Sequence, residues 1–244
     1  MWAERMGKRS RLWNDLLCAD LELPVALPPN IAVVLRKPSD DEADSLPQRV
    51  AEFYSERPGG PYGICSLWQL EGLPPDPLDL WHIPIMVRDA GGEAPVAPAE
   101  LEIIEATDAS TVREAATLID ESFEAQSKPD DVLTPDCLDD DFRVWVGRID
   151  GRAVTTAAAY IADGYVGLYA VATTPASRGR GYGEAVTWAA TLCRPELRAT
   201  LQASLMGRPI YERMGYRTIA EFTVWDLERS MDQRRSDARD VARR

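Results

Sequence analysis

Apolar and polar positions repeat with clear periods from residue 99 to residue 228, whereas the first 98 residues show little periodicity. In the periodic part, alternation predicts strands and a 3.6-residue repeat predicts helices. The order is strand, helix, polar loop, three strands, helix, strand, short helix and strand. This order predicts an α/β (α+β) fold, in which helices flank both faces of a mixed, mostly antiparallel sheet. The predicted strands are 101–105, 142–149, 153–161, 165–173, 198–204 and 217–227, and the last two helices are 181–192 and 209–214.

Turn and cap signals separate these elements. Asp150-Gly151 is a strong two-residue hairpin signal, and Ala162-Asp163-Gly164 predicts the next reversal. The first helix can be capped by Asp108. It can also be capped by Thr111, with Glu114 completing a capping box, and the sequence leaves both starts open.

The first 98 residues are rich in proline and end in a Gly- and Pro-containing segment, 89–98, that is typical of a linker. Candidate strands lie at 31–35, 62–70 and 82–87. The last residues lack an apolar face, which predicts a flexible or frayed helical tail. Three parts are therefore expected: an N-terminal domain 1–98, a main domain 99–228 and a tail 229–244.

Composition excludes several classes of function. The chain has 244 residues, with 45% hydrophobic and 27% charged content, which is typical of a soluble protein with a sizeable core. A net charge of −13 argues against a nucleic-acid partner and favours cationic substrates. No apolar run is long enough to span a membrane, and the basic N-terminus lacks a following signal core. A cytoplasmic protein with no membrane partner is expected.

The cysteines and the histidine argue against a metal site. Cys18, Cys65, Cys137 and Cys193 are scattered without a C-x-x-C pair, which is typical of reduced cytosolic thiols. His82 is the single histidine, so a site with several histidine ligands is excluded and a structural role is expected for this side chain. No metal is expected.

The most informative motif follows the predicted strand 165–173. Residues 171–183 read V-A-T-T-P-A-S-R-G-R-G-Y-G and open a helix. The first N–H groups of a helix have no partner within it, and they lie at the positive end of its dipole. Gly181 and Gly183 let an anion approach the backbone closely, and consecutive N–H groups form an anion-binding nest. The pattern predicts a phosphate cradle, although neither the dinucleotide fingerprint nor the mononucleotide loop occurs.

The same residues resemble a known family. The order R-x-x-G-x-G after a strand ending V-x-x-x-P resembles the acyl-CoA signature of the GNAT superfamily of N-acetyltransferases. Tyr211, Gly215 and Tyr216 match a second signature, Y-x-x-x-G-[FY]. The resemblance covers residues 99–228 and implies the acyl-CoA N-acyltransferase fold. It also implies transfer of an acetyl group from acetyl-CoA to a primary amine, by direct attack in a ternary complex.

The resemblance also implies roles for individual residues. In the family, the turn binds the pyrophosphate of coenzyme A. The strand before it is splayed by a bulge, and its N–H groups bind pantetheine and polarise the thioester carbonyl. The family tyrosine, here Tyr211, lies near the thioester sulfur as a general acid; the alternative is a packing role. Ser204 stands where the family often has an asparagine. The candidate catalytic residue is Tyr211, and the candidate cofactor-binding residues are Ala170, Val171, Ala172, Thr173, Arg178, Gly179, Arg180, Gly181, Tyr182, Gly183, Ser204 and Tyr211.

The acceptor side is less well defined. Glu105, Glu121 and Glu124 are candidate general bases, each with a solvated surface charge as the alternative. The acidic loop 126–141 corresponds to the region that lines the acceptor cleft in the family, and its charge favours a cationic amine. A solvated loop is the alternative.

Two further interpretations stay open. The N-terminal part faintly resembles the front of tandem-repeat acetyltransferases, but Arg57, Gly60 and Tyr62 match the acyl-CoA signature only partly. This predicts a partial or degenerate unit without a second coenzyme A site. A catalytically silent acyl-CoA-binding regulatory or scaffold protein is the alternative function. Homodimers are common in the family, and the N-terminal part could instead cover the pairing surface.

Overall fold

The computed structural model describes residues 2–22, 30–56, 62–70, 80–123 and 128–226. The chain splits into two compact units, residues 1–83 with 221–244 and residues 84–220. The sequence places these boundaries near residues 98 and 228 instead. Residues 85–88 belong to the second unit because they pair with one of its strands. The predicted tail 229–244 and Glu124 lie outside the described residues.

Among its described residues, the first unit forms a five-stranded sheet in the order β1-β2-β3-β4-β11. β3 and β4 are parallel and the other pairs are antiparallel. β11 pairs with β4 through residues 223–226. The elements are α1 (Trp2–Arg5), β1 (Arg9–Leu12), β2 (Leu16–Asp20), β3 (Asn30–Val34), α2 (Asp40–Ser55), β4 (Gly63–Ser66) and β11 (Arg217–Asp226).

Helix α2 is the main element that the periodicity of the sequence does not reveal. It begins at a complete capping box: the Ser39 hydroxyl accepts the Glu42 N–H, and the Glu42 carboxylate accepts the Ser39 N–H. Leu46 and Val50 then pack into a buried cluster with residues of β2, β3 and β4. The signal Ser39-x-x-Glu42 is visible in the sequence, but Pro47 inside the helix argues against a long helix there.

A buried ion pair ties α2 to the segment before β2. The Asp15 side chain is almost fully buried, and its two carboxylate oxygens accept hydrogen bonds from the two terminal nitrogens of Arg49, each at 2.8 Å. The hydrogen bond from Arg49 holds the pKa of Asp15 below its usual range. A depressed folded-state pKa stabilises the protein above the unfolded value of about 3.9. That contribution is lost as the pH falls through the folded-state pKa.

We expect Asp15→Asn to lower the free energy of unfolding at pH 7 by about 2–4 kcal/mol, because it leaves the Arg49 charge without its buried partner. Chemical denaturation measures the loss. Glu212→Gln is the control, since Glu212 pairs with Arg208 on an exposed helix surface and should matter by less than about 0.5 kcal/mol. Equal losses in the two variants would contradict the role of Asp15.

The second unit, in its described part, has the strand order β5-β10-β9-β8-β7-β6. β10 and β9 are parallel, and the other pairs are antiparallel. The predicted mixed, mostly antiparallel sheet is confirmed. The elements are β5 (Leu80–Arg88), β6 (Glu102–Glu105), α3 (Ala109–Phe123), α4 (Pro129–Val132), β7 (Phe142–Ile149), β8 (Arg152–Ala162), β9 (Tyr165–Thr173), α5 (Tyr182–Thr191), β10 (Arg198–Gln202) and α6 (Arg208–Arg213).

The cap of α3 decides between the two starts that the sequence allows. The Asp108 carboxylate accepts the N–H groups of Ser110 and Thr111, so Asp108 is the cap. Glu114 does not close a capping box with Thr111. Its carboxylate instead accepts a hydrogen bond of 2.9 Å from Arg148 on β7, because strand pairing brings that charge within reach.

Helices cover both faces of this sheet. Val186 and Trp188 of α5 and Tyr211 of α6 pack with Leu168 and Leu201 in one buried cluster. Alternate strand residues face the other side, where α3 packs against β7, β8 and β9. In the described part of the chain, no helix is both long and apolar enough to cross a membrane.

Candidate active site

Strands β9 and β10 separate partway along their length. They pair in parallel over four positions, from Tyr165 with Arg198 to Leu168 with Leu201. β9 then continues to Thr173, while β10 ends at Gln202. Residues 169–173 therefore have one edge against β8 and, among the described strands, no partner along the other. Backbone groups on that edge are available to a ligand.

A bulge lies at the start of this open edge. Thr156 pairs with Ala172 and Ala158 with Tyr169, so Ala170 and Val171 together face the single residue Ala157. Ala170 has a φ of +51°, which is uncommon for a residue with a side chain. Strain of this kind occurs where the surrounding structure holds a functional backbone in place. The bulge and the separation of β9 from β10 agree with what the family resemblance implies for this strand.

The backbone N–H of Thr173 points to the open edge. The Thr174 N–H donates to the Val154 carbonyl on β8 at 2.9 Å. Since successive N–H groups along a regular strand point to opposite edges, that of Thr173 points away from β8. Thr173 is one of the predicted cofactor-binding residues, and its backbone N–H is the group that faces the open edge.

The glycine turn leads from β9 into α5 with the geometry of an anion site. Gly179 and Gly181 have φ values of +77° and +82°, and Gly181 is the N-cap of α5. No side chain caps this helix, and the Ala185 N–H is bonded to the Gly181 carbonyl. The N–H groups of the first turn thus remain for an anion at the positive end of the dipole.

Gly183 brings the strand end and the helix start into contact. A Cβ atom at Gly183 would lie 2.8 Å from the Thr173 hydroxyl oxygen. A larger residue there would clash with the Thr173 side chain unless one of the two moved. The open-edge N–H of Thr173 and the first turn of α5 therefore form one continuous donor surface.

The side chains of the turn are partly engaged within the protein. The Arg178 Nε donates to the Thr173 carbonyl at 3.1 Å and remains exposed. The Tyr182 ring is buried, and its hydroxyl donates to Glu100 at 2.7 Å, so Tyr182 can serve an anion only through its backbone N–H. This hydrogen bond lowers the pKa of Glu100, and the positive charge of Arg180 adds to the effect. Glu100 lies 82 residues before Tyr182, and no sequence motif connects the two.

The Tyr211 phenol lies beside the turn that follows β10. Its side chain is 8% exposed, and a Cβ atom at Gly207 would lie 2.8 Å from its ring. Among the described residues, the Tyr211 hydroxyl has no hydrogen-bond partner. Burial raises the pKa of Tyr211 to about 12, which keeps the phenol protonated at neutral pH. A protonated, unengaged phenol is suited to donate a proton.

Ser204 has a clear local role. Its hydroxyl accepts the Gly207 N–H at 3.1 Å, and its carbonyl accepts the Arg208 N–H, so it closes the turn before α6. Ser204 is an exposed residue, and its hydroxyl retains its own proton to donate. Ser204 and Tyr211 thus lie together on the β10 side of the gap where β9 and β10 separate.

The candidate bases differ in their surroundings. The Glu105 carboxylate accepts two hydrogen bonds from the Arg143 guanidinium. Glu121 is exposed on α3. In the acidic loop, the Asp139 carboxylate accepts the Phe142 N–H, so part of its charge shapes the loop. In the described part of the chain, no three His, Cys, Asp or Glu side chains are grouped to hold a metal ion.

Comparison with known families agrees with this geometry. Residues 110–216 match the acetyltransferase (GNAT) family. The chain contains a GNAT domain. The match runs from the start of α3 to the residue before β11, and it includes the bulge, the glycine turn and Tyr211. Comparison with curated protein sequences gave no significant match.

Solved structures share the fold of this chain over most of its length. A GCN5-related N-acetyltransferase from Kribbella flavida has 20% identity and a TM-score of 0.64, with 89% of this chain and 88% of that chain covered. A GCN5-related N-acetyltransferase-like protein from Streptococcus suis has 14% identity and a TM-score of 0.57, with 86% and 82% covered. One from Sphaerobacter thermophilus has 15% identity and a TM-score of 0.53, with 88% and 80% covered. The shared fold therefore extends beyond residues 110–216.

Proposed function

We propose that this protein transfers an acetyl group from acetyl-CoA to a primary amine, by direct attack of the amine in a ternary complex. The observation that carries the proposal is the open edge of β9. The Thr173 N–H on this edge lies between the bulge at Ala170 and the uncapped start of α5. Acetyl-CoA is an elongated thioester with a pyrophosphate, and a row of donors that ends at a helix N-terminus suits such a molecule.

The described residues fit each part of acetyl-CoA. The backbone of residues 179–183 would hold the pyrophosphate, with Arg178 and Arg180 beside it. The Thr173 N–H would hold the pantetheine, and backbone N–H groups of the bulge at Ala170 and Val171 would polarise the thioester carbonyl. Acetyl-CoA supplies the activated acyl group. Backbone donors are fixed before binding, so they stabilise developing negative charge with little reorganisation.

Tyr211 is proposed as the general acid that donates a proton to the leaving thiolate. Burial keeps its phenol protonated, and its hydroxyl is free of other partners in the described structure. The acceptor amine must lose a proton before it attacks. No single carboxylate is assigned as base, since Glu105 is engaged by Arg143 and Glu121 is exposed at the surface.

The proposed acceptor is a cationic amine. The acidic loop contributes Asp136, Asp140 and Asp141 in addition to the capping Asp139. A negative surface raises the local concentration of a protonated amine. The four cysteines are free thiols in the structure, which supports the proposed cytoplasmic location. A homodimer stays a prediction.

The proposal predicts saturable, one-to-one binding of acetyl-CoA, with a dissociation constant of roughly micromolar order, in a calorimetric titration. Free CoA should bind as well, since the cradle recognises the pyrophosphate. Release of thiol in the presence of a panel of amines then measures transfer. Binding without transfer to any amine would favour the silent acyl-CoA-binding protein. The absence of binding to either molecule would overturn the proposal.

A further inference from the structure

Thr155 lies on β8, directly behind the proposed donor surface, and no motif marks it. Its side chain is completely buried. Its hydroxyl donates to the Ala172 carbonyl on β9 at 2.8 Å and lies 2.9 Å from the Thr173 hydroxyl. The Thr155 methyl is equally fixed, since a Cβ atom at Gly147 would lie 2.5 Å from it.

The number of hydroxyl hydrogens determines which group donates in each of these two contacts. A threonine hydroxyl has one hydrogen to donate. Thr155 uses its hydrogen for the Ala172 carbonyl, so in the second contact Thr173 donates to Thr155. The chain of donors therefore runs from Thr173 through Thr155 to Ala172. The Thr173 hydroxyl also lies against Gly183, so the network connects β8, the end of β9 and the start of α5.

The Ala172 carbonyl and the Thr173 N–H belong to the same peptide group. In a trans peptide these two groups point in opposite directions. The hydroxyl of Thr155 reaches the carbonyl from the β8 side, so the N–H points to the open edge. A hydrogen bond to the carbonyl of a peptide group also polarises it and makes its N–H a stronger donor.

We propose that Thr155 is a positioning residue, whose hydroxyl orients and polarises the peptide group that presents the Thr173 N–H to coenzyme A. This inference rests on the proposed function, because coenzyme A is the ligand that the Thr173 N–H would bind. Thr155 itself does not touch the cofactor. It fixes the plane of one peptide group on the open edge, next to the bulge where Ala170 has a positive φ.

The test compares two neighbouring threonines in the full-length protein. Thr156 is also completely buried, and its hydroxyl donates to a carbonyl of a neighbouring strand at 2.8 Å. That carbonyl belongs to Trp145 on β7, which lies on the side of β8 away from β9. Thr155→Val and Thr156→Val each replace a hydroxyl by a methyl of similar size. Both should lose stability in chemical denaturation, because each leaves one buried carbonyl with one donor fewer, and Thr155→Val also leaves the Thr173 hydroxyl without its acceptor.

Calorimetric titration with CoA separates the two variants. Thr155→Val should raise the dissociation constant roughly three- to tenfold, as expected for the loss of about one hydrogen bond, and Thr156→Val should stay within about twofold of the wild type. Thr155→Ser retains the hydroxyl and should restore most of the affinity. Equal CoA affinities in the two valine variants would overturn the proposal. A Thr155→Ser variant that is as stable as the wild type but binds CoA as weakly as Thr155→Val would also overturn it.

A second readout needs no ligand. The amide proton of Thr173 should move upfield in the NMR spectrum of Thr155→Val, because its peptide group loses polarisation, and it should not move in Thr156→Val. An unchanged Thr173 amide in Thr155→Val would overturn the proposed polarisation. If wild-type protein fails to bind CoA, the proposed function fails, whereas the amide shift still tests the effect of Thr155 on the peptide group.

Discussion

Replacing Gly181 by leucine is expected to weaken CoA binding by roughly a hundredfold or more. Gly181 has a φ of +82° and is the uncapped start of α5. A side chain there would occupy the space through which an anion approaches the first N–H groups. Each charge-assisted hydrogen bond to a phosphate contributes about 1.5–3 kcal/mol, so the loss of one or two is enough for this effect. Calorimetric titration with CoA measures it.

The control for this variant must reproduce the backbone strain. Gly151 lies in the β7–β8 turn with a φ of +75°, and nothing lies within 4 Å of a Cβ atom built there. Leucine at a positive φ costs about 1–2 kcal/mol at either position. Gly151→Leu should therefore lose similar stability and retain CoA affinity. If both variants bind CoA equally well, the cradle at Gly181 is refuted.

Tyr211→Phe is expected to lower turnover roughly a hundredfold, the usual range for loss of a general acid, while CoA affinity changes little. The variant removes only the hydroxyl, which has no partner among the described residues. The ring remains in the cluster with Leu168 and Leu201, so the fold should be retained. Steady-state kinetics at saturating acetyl-CoA and titration with CoA separate the two effects.

Tyr216→Phe is the matched control. Tyr216 lies five residues further on, its ring contacts Tyr211 edge-on at 6.0 Å, and it is equally buried. Its hydroxyl, however, is bonded to Thr191 at 2.8 Å. Its removal should cost about 1 kcal/mol of stability and leave turnover near the wild-type value. If Tyr211→Phe turns over as fast as Tyr216→Phe, Tyr211 is not the acid.

The two experiments address separate parts of the proposed function. Gly181 belongs to the turn before α5, where the expected loss is in affinity. Tyr211 belongs to α6, on the β10 side of the gap where β9 and β10 separate, and its substitution is expected to lower the rate of the chemical step. A protein that binds CoA through the cradle and shows no effect of Tyr211 on transfer would employ another proton donor, such as solvent.

Local signals predicted most of the second unit. β7 (Phe142–Ile149) and β9 (Tyr165–Thr173) have the predicted bounds, because alternation and the flanking Asp-Gly turns specify them locally. The glycine turn was also recognisable, since its glycines require positive φ values that the structure confirms at Gly179 and Gly181. In the first unit, the candidate strands 31–35 and 62–70 coincide with β3 (Asn30–Val34) and β4 (Gly63–Ser66), whereas only the capping box of Ser39 and Glu42 indicates the start of α2.

The sequence by itself determined the order of elements in the second unit, the glycine turn and the family, because each depends on residues close together in the chain. Only the tertiary structure decided where β10 leaves β9, which peptide groups face the open edge, and which side chains lie behind them. Thr155 reaches Ala172 across a strand pair, and Glu100 reaches Tyr182 from 82 residues away. Such contacts arise from strand register and packing. Any residue of suitable size and polarity can supply them, so they leave no local pattern.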